Sequence, residues 1–188
     1  MAKLTVFNQV SLDGYFSDRK GSMSWAHKDP SDKEWNAFVS GNASGGGTLV
    51  FGRKTYEQMA SFWPTPQAMA QMPVVAERMG ALPKVVFSRT LQKVEWRNTR
   101  LVKSDLAGEI RRMKQDADEP DMVILGSGTI VAQLARAGLI DTLQLVVNPI
   151  VLGGGRTLFE GLEEPRAWKL EATRAFTNGN VVTTYTAA

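Results

Sequence analysis

Cysteine is absent from this chain of 188 residues. That excludes disulfides, a thiolate nucleophile and a thiolate-held metal, and no metal site is expected. Histidine occurs once, at His27. A multi-histidine metal site is thereby excluded, and a Ser-His-Asp triad would depend on His27 alone. It lies in a polar segment with no nucleophile-elbow motif nearby, so it reads as a loop side chain. No apolar run approaches the ~18 residues needed to span a bilayer, and no membrane partner is expected. Met1-Ala2-Lys3 leads straight into strand-like sequence without the apolar core of a secretory leader, so a cytoplasmic location is expected. Dense Lys/Arg tracts are also missing. The 22 basic and 19 acidic residues are dispersed, giving a net charge of +3. That argues against a nucleic-acid partner and suits an anionic small molecule.

What is present is an ordinary globular composition, 43% hydrophobic and 22% charged. The length suits one domain over residues 1–188, and no repeat or linker interrupts it. The stretch from Asp121 to Leu134 organises the rest. Met122 to Leu125 is an apolar run of the kind buried in a parallel sheet. Gly126-Ser127-Gly128 turns it into a helical segment with apolar Ile130, Val131 and Leu134. A helix opening at a glycine turn points unpaired N–H groups at whatever lies there, and phosphate is the natural ligand. The same residues also make a short strand-to-helix connection, and this stretch alone leaves both readings open.

Two further junctions resemble it. Thr48 to Phe51 reads as a buried strand that turns at Gly52 into a helix headed by Arg53, Lys54 and Thr55. Cations there oppose the helix dipole unless an anion compensates them; the alternative is that both point to solvent. Pro83 to Phe87 reads as a third strand, followed by Ser88 and Arg89, a hydroxyl and a planar fork of donors suited to a phosphate monoester or to an ordinary surface turn.

The remaining chain supplies the frame. Lys3 to Val10 reads as the first strand, with Asn8 as a polar break at its centre. Asp13-Gly14 marks a turn. Ser31 and Glu34 form a capping-box pattern ahead of Trp35, Phe38 and Val39. Gly45-Gly46-Gly47 reads as a flexible connection, since it lacks the Lys-Ser/Thr ending of a phosphate loop. Gln67 to Arg78 reads as one Met- and Ala-rich helical stretch, Arg100 to Val102 as a short strand and Asp105 to Gln115 as an amphipathic helix. Asp141 to Pro149 reads as a strand followed by a glycine-rich turn ending at Arg156. Trp168 to Phe176 and Val181 to Tyr185 form a hairpin around Thr177 to Asn180. The layout predicts an α/β fold: a mostly parallel central sheet flanked by helices, with an antiparallel C-terminal hairpin. Ligands of such sheets sit outside the carboxyl ends of the strands, where all three junctions lie.

Five motifs in order carry a resemblance. They are Ser11-Leu12-Asp13-Gly14, Phe51 to Glu57, Val86-Phe87-Ser88-Arg89, Leu125 to Thr129, and Asn148 to Gly155. Together the chain resembles the dihydrofolate reductase-like fold, and within it the C-terminal reductase domain of the riboflavin-biosynthesis bifunctional deaminase-reductase. The resemblance implies NADPH as cofactor. Gly52, Arg53, Lys54 and Thr55 would hold one side of it, and Gly126, Ser127, Gly128, Thr129 and Ile130 its pyrophosphate. Ser88 and Arg89 would meet the 2′-phosphate. Trp25…Pro30-Ser31-Asp32 is similar to the pattern that carries the acid of dihydrofolate reductases, with a longer gap. Asp32 is therefore the candidate catalytic acid, although a helix start also favours an acid at that point. Asn8, Asp13 and Trp25 are candidate substrate contacts, Trp25 by stacking on a flat ring or simply by packing. No counterpart of the deaminase half or its zinc motif is present. The expected function is an NADPH-dependent reductase of a small heterocyclic or sugar-phosphate substrate, similar to 5-amino-6-(5-phosphoribosylamino)uracil reductase. The alternatives are dihydrofolate reductase activity and a non-catalytic NADP-binding protein. The family resemblance also implies a possible homodimer.

Overall fold

The computed structural model describes residues 1–188. Strand β1 (Leu4–Ser11) lies near the centre of an eight-stranded sheet, with β3 (Thr48–Gly52), β4 (Lys84–Phe87), β5 (Thr99–Val102), β6 (Met122–Leu125), β7 (Thr142–Asn148), β9 (Trp168–Ala175) and β10 (Val181–Ala187). The spatial order is β5-β4-β3-β6-β1-β7-β10-β9. Every pair from β5 to β7 is parallel, and β10 runs antiparallel to both β7 and β9. The fold is therefore α/β, as the strand and helix pattern predicts.

Alternation along the strands assigns the two faces. Leu4, Val6, Val50, Val85, Phe87, Met122 and Ile124 meet helices α5 (Leu106–Gln115) and α6 (Gly128–Arg136) through Ile110, Met113, Val131 and Leu134. Leu49, Phe51 and Val86 point the other way, onto Tyr56 of α2 (Arg53–Phe62) and Val75 and Met79 of α4 (Pro73–Ala81). On that same face Trp35 of α1 (Lys33–Ser44) packs with Val146, Phe176 and Val182. The sheet thus takes helices on both faces and exposes its carboxyl ends.

Three local features differ from the sequence expectation. The cap of α1 is Asp32, not Ser31: Ser31 N and Oγ both donate to Asp29 Oδ1, and Asp32 Oδ1 accepts from Trp35 N at 2.9 Å. The stretch after Pro64 is two helices, α3 (Pro66–Gln71) and α4, broken where Pro73 forces Met72 out of the helical region. Gly47 is not a loose connection. Its φ is +106°, and a Cβ there would lie 2.5 Å from Asp121 O, so a glycine lets β3 enter tightly beside β6.

One element has no counterpart in the sequence expectation. Tyr15–Ser17 (β2) and Arg156–Thr157 (β8) pair antiparallel as a separate two-stranded ribbon. It joins the turn after β1 to the glycine run after β7.

Candidate functional site

The chain order departs from the spatial order between β3 and β6. From β3 the chain winds outward to β4 and β5, then returns to insert β6 on the other side of β3. The crevice at such a switch point is where open α/β sheets bind ligands. Here two glycine junctions are tied together across it. Gly52 N donates to Ser127 Oγ at 2.9 Å, and Ser127 N donates to Thr55 Oγ1 at 3.1 Å. Gly126 and Ser127 both take left-handed backbone, with φ of +59° and +56°. Such a conformation at serine costs on the order of 1–2 kcal/mol and persists where neighbours enforce it. The Thr55 and Gly52 hydrogen bonds do so. α6 starts at this strained turn, and its first residues, Gly128 and Thr129, line the crevice.

The crevice is a cleft of about 670 Å³. Gly52, Arg53, Lys54, Thr55, Ser88, Arg89, Ser127, Gly128, Thr129 and Ile130 all line it. Of the candidate cofactor residues only Gly126 stands behind the wall, where its carbonyl accepts from Asn8 Nδ2 at 3.1 Å. The cations around the cleft are Arg53, Lys54, Arg89, Lys103 and Arg156, against Asp105 as the one acid. Arg53 is paired with Glu57 at 3.3 Å and Arg156 with Glu160 at 3.4 Å, whereas Lys54 and Arg89 form no ion pair. Asp105 is engaged as the cap of α5, accepting from Gly108 N at 2.9 Å. The field in the cleft is therefore positive, and an elongated anion satisfies it.

Several lining residues were missed by the sequence reading: Phe16 and Ser17 on β2, Met23, Gln58, Lys103 and Ser104 after β5, Gln133, and Arg156 on β8. Lys103 and Ser104 had a usable signal, since they follow a fourth parallel strand at its carboxyl end. The β2–β8 residues had none, because their pairing joins segments about 140 positions apart. The room at Gly128 also has a different tenant from the one expected. A Cβ there would lie 2.3 Å from Phe16 Cζ, so the missing side chain admits the ribbon's aromatic ring.

The four substrate-side candidates are not gathered in the cleft. Asn8 is 2% exposed and spends its amide on Gly126 O, with Oδ1 accepting from Gln9 N. Asp13 is exposed and ties two loops. Its carboxylate accepts from Ser11 Oγ at 2.7 Å, Leu152 N at 3.1 Å and Gly153 N at 2.7 Å. The Ser11 hydroxyl bond, helped by those backbone donors, lowers its pKa to about 2. Trp25 is half-buried in a single 3-10 turn and donates Nε1 to Ser22 O at 3.2 Å. Asp32 caps α1 with one oxygen and accepts from Asn178 Nδ2 at 2.8 Å with the other.

A larger cavity of about 960 Å³ opens on the other side of α2, lined by Tyr56, Ala60, Trp63, Leu91, Trp96 and Arg97 among others. None of the candidate residues lines it. Lys84, 1% exposed, lies beside Trp96 with its Nζ 4.5 Å from the ring centroid. That ammonium donates to Gly80 O and Leu82 O, and burial lowers its pKa to about 8.

Comparison with known proteins agrees with this geometry. A candidate riboflavin-biosynthesis protein of Shewanella sp. PV-4 superposes with a TM-score of 0.76 at 26% identity, covering 100% of this chain and 99% of that one. A Thermotoga maritima protein named as a diaminohydroxyphosphoribosylaminopyrimidine deaminase/5-amino-6-(5-phosphoribosylamino)uracil reductase matches with a TM-score of 0.65 at 12% identity. It covers 100% of this chain, which spans 57% of that longer one. The dihydrofolate reductase of Enterococcus faecalis, solved with NADP(H), matches with a TM-score of 0.60 at 18% identity over 98% and 96% of the two chains. The last two likenesses establish the dihydrofolate reductase-like fold. The sequence profile of the RibD C-terminal domain matches residues 2–182, and the chain belongs to that family.

Proposed function

We propose that the protein is an NADPH-dependent reductase of a small heterocyclic or sugar-phosphate substrate. One observation carries the reading: the junctions after β3, β4 and β6 line a single cleft with five cations against one engaged acid. The residues fit the dinucleotide. The N-terminal turn of α6 offers N–H groups to a pyrophosphate, flanked by Thr129 and by Lys54 at the head of α2. Ser88 and Arg89, with Lys103 and Ser104 beside them at the end of β5, offer hydroxyls and cations to a 2′-phosphate. The bound cofactor supplies a hydride, and the chain's part is to orient it, exclude water and counter its charge. Family membership and the NADP(H) held by the Enterococcus faecalis enzyme support the same choice of cofactor. Asp32 is the proposed proton donor in this reading. All 188 residues form one domain in it, and the edge strand β9, exposed along nearly its whole length, is the surface on which a homodimer could extend the sheet.

A second reading is favoured by the state of Asp32. Both of its oxygens already hold structural hydrogen bonds. A protein that binds NADP without turnover needs no free acid. The deciding experiment follows NADPH oxidation with aminopyrimidine, pterin and dihydrofolate substrates, alongside direct cofactor binding. Turnover of an aminopyrimidine or pterin supports the reductase. Saturable dihydrofolate turnover with strong antifolate inhibition makes it a dihydrofolate reductase. Tight NADPH binding with no turnover of any of them leaves the non-catalytic reading.

A further inference from the structure

We infer that the β2–β8 ribbon supplies the second half of the cofactor's pyrophosphate site, through Ser17 Oγ and the Arg156 guanidinium. This rests on the dinucleotide reading above and adds two residues on an element outside the main sheet.

The ribbon is docked on the first turn of α6. Phe16 on β2 fills the space that a side chain at Gly128 would take. On β8, Arg156 Nη2 stands 3.4 Å from Thr129 Oγ1, in that same first turn. Ser17 and Arg156 are ladder partners, set opposite each other by a register shift between Tyr15 and Ser17 that breaks the regular alternation of the strand. Both line the cleft. Close approach of the strands depends on the glycine run before β8. A Cβ on Gly155 would fall 1.9 Å from Ser17 O.

Ser17 carries the inference. It is 2% exposed, yet its hydroxyl has no hydrogen-bond partner. A buried hydroxyl left unpaired is a cost that folded proteins rarely keep without a reason, and here its residue lines the cleft, with the oxygen itself covered in the empty site. Arg156 is available in a complementary sense. Its contacts to Thr129 and to Glu160 Oε2 are both 3.4 Å, at the long limit of a hydrogen bond, and its guanidinium carbon sits 5.8 Å from the centroid of the Phe16 ring. Its contact with Glu160 is an exposed ion pair, worth little, so an anion in the cleft can compete for the guanidinium. The α6 turn from Gly126 to Ile130 has no cation of its own. Arg156 provides one through its contact with Thr129 Oγ1.

The test uses the full-length protein and two probes. NADP+ carries the pyrophosphate, whereas 2′-AMP carries only the 2′-phosphate. Arg156→Gln should weaken NADP+ binding roughly ten- to hundredfold, the loss expected for a charge-assisted hydrogen bond, and leave 2′-AMP affinity unchanged. Arg156→Lys should recover most of the loss. Ser17→Ala should weaken NADP+ several-fold while the melting temperature stays level or rises, because an unsatisfied buried hydroxyl has been removed. A purely structural ribbon predicts no selective loss of NADP+. If NADP+ binds Arg156→Gln and Ser17→Ala as well as wild type, or if both probes weaken together, the inference is overturned while the cofactor reading stands. If wild-type protein binds neither probe, the cofactor reading fails and this inference fails with it.

Discussion

The cleft at the carboxyl ends of β3, β4 and β6 and the acidic turns around Asp13 and Asp32 look alike in sequence. Both are short polar stretches at the ends of regular elements. In the folded chain they differ in what is left unpaired. Asp13 accepts from Ser11, Leu152 and Gly153, and Asp32 from Trp35 and Asn178. In the cleft, Lys54 and Arg89 form no ion pair and the Ser17 hydroxyl has no partner. Buried polar groups that serve structure are mostly paired, although Asn148 Oδ1 and the Asn180 amide, outside the cleft, also lack partners. Those left unsatisfied in a concave, one-signed field are reserved for something else. The comparison supports the cleft as the proposed binding site, while Asp13 and Asp32 both already hold structural hydrogen bonds.

The largest effect should come from Gly128→Val, which drives a side chain into Phe16. Overpacking of this kind costs about 1–3 kcal/mol. The melting temperature should fall and cofactor affinity should drop more than tenfold as the ribbon lifts. Combining it with Phe16→Ala should return part of the melting temperature without restoring affinity. Recovery of both would mean that the ribbon only packs.

Asp32 offers a smaller and sharper contrast. Asp32→Ala removes an N-cap, a loss of about 1 kcal/mol seen in denaturant unfolding, whereas Asp32→Asn retains a good capping residue. Neither should alter NADPH affinity. If Asp32→Asn also leaves turnover unchanged, Asp32 is scaffolding alone and the proton comes from elsewhere.

The smallest effect is a pH dependence at Asp13. Its folded-state pKa is depressed to about 2, first by the Ser11 hydroxyl. A depressed carboxylate pKa stabilises the folded state fully above the unfolded value near 4. That contribution is lost as pH falls from about 4 to about 2. Denaturant midpoints measured across that range should decline less steeply in Asp13→Asn than in wild type. Parallel curves would show that the tie between the two loops does not depend on the carboxylate's charge.

The fold was largely legible because its signals are local. The apolar runs at Thr48–Phe51, Val85–Phe87 and Met122–Leu125 name buried strands, and a glycine or serine directly after each names its turn. Parallel order then places those turns at one end of the sheet. Less legible were features set by distant partners. Ser31 looked like the better cap until Asp29 claimed its hydroxyl. Pro73 broke a stretch whose composition is helical throughout. The β2–β8 ribbon rests on a pairing of Tyr15 and Ser17 with Thr157 and Arg156, and no periodicity within either short segment announces it. Ser17 and Arg156 were invisible for that reason: their chemistry arises only when the ribbon brings them over α6.

In the proposed function the cleft holds a dinucleotide with a 2′-phosphate. The most direct test is equilibrium binding of NADPH and NADH to wild type and to Arg89→Ala. NADPH should bind the wild-type protein more tightly, and the substitution should narrow the difference about tenfold or more by weakening NADPH alone. Equal, weak binding of both nucleotides to the wild-type protein would mean that the cleft is not a site for a 2′-phosphorylated dinucleotide.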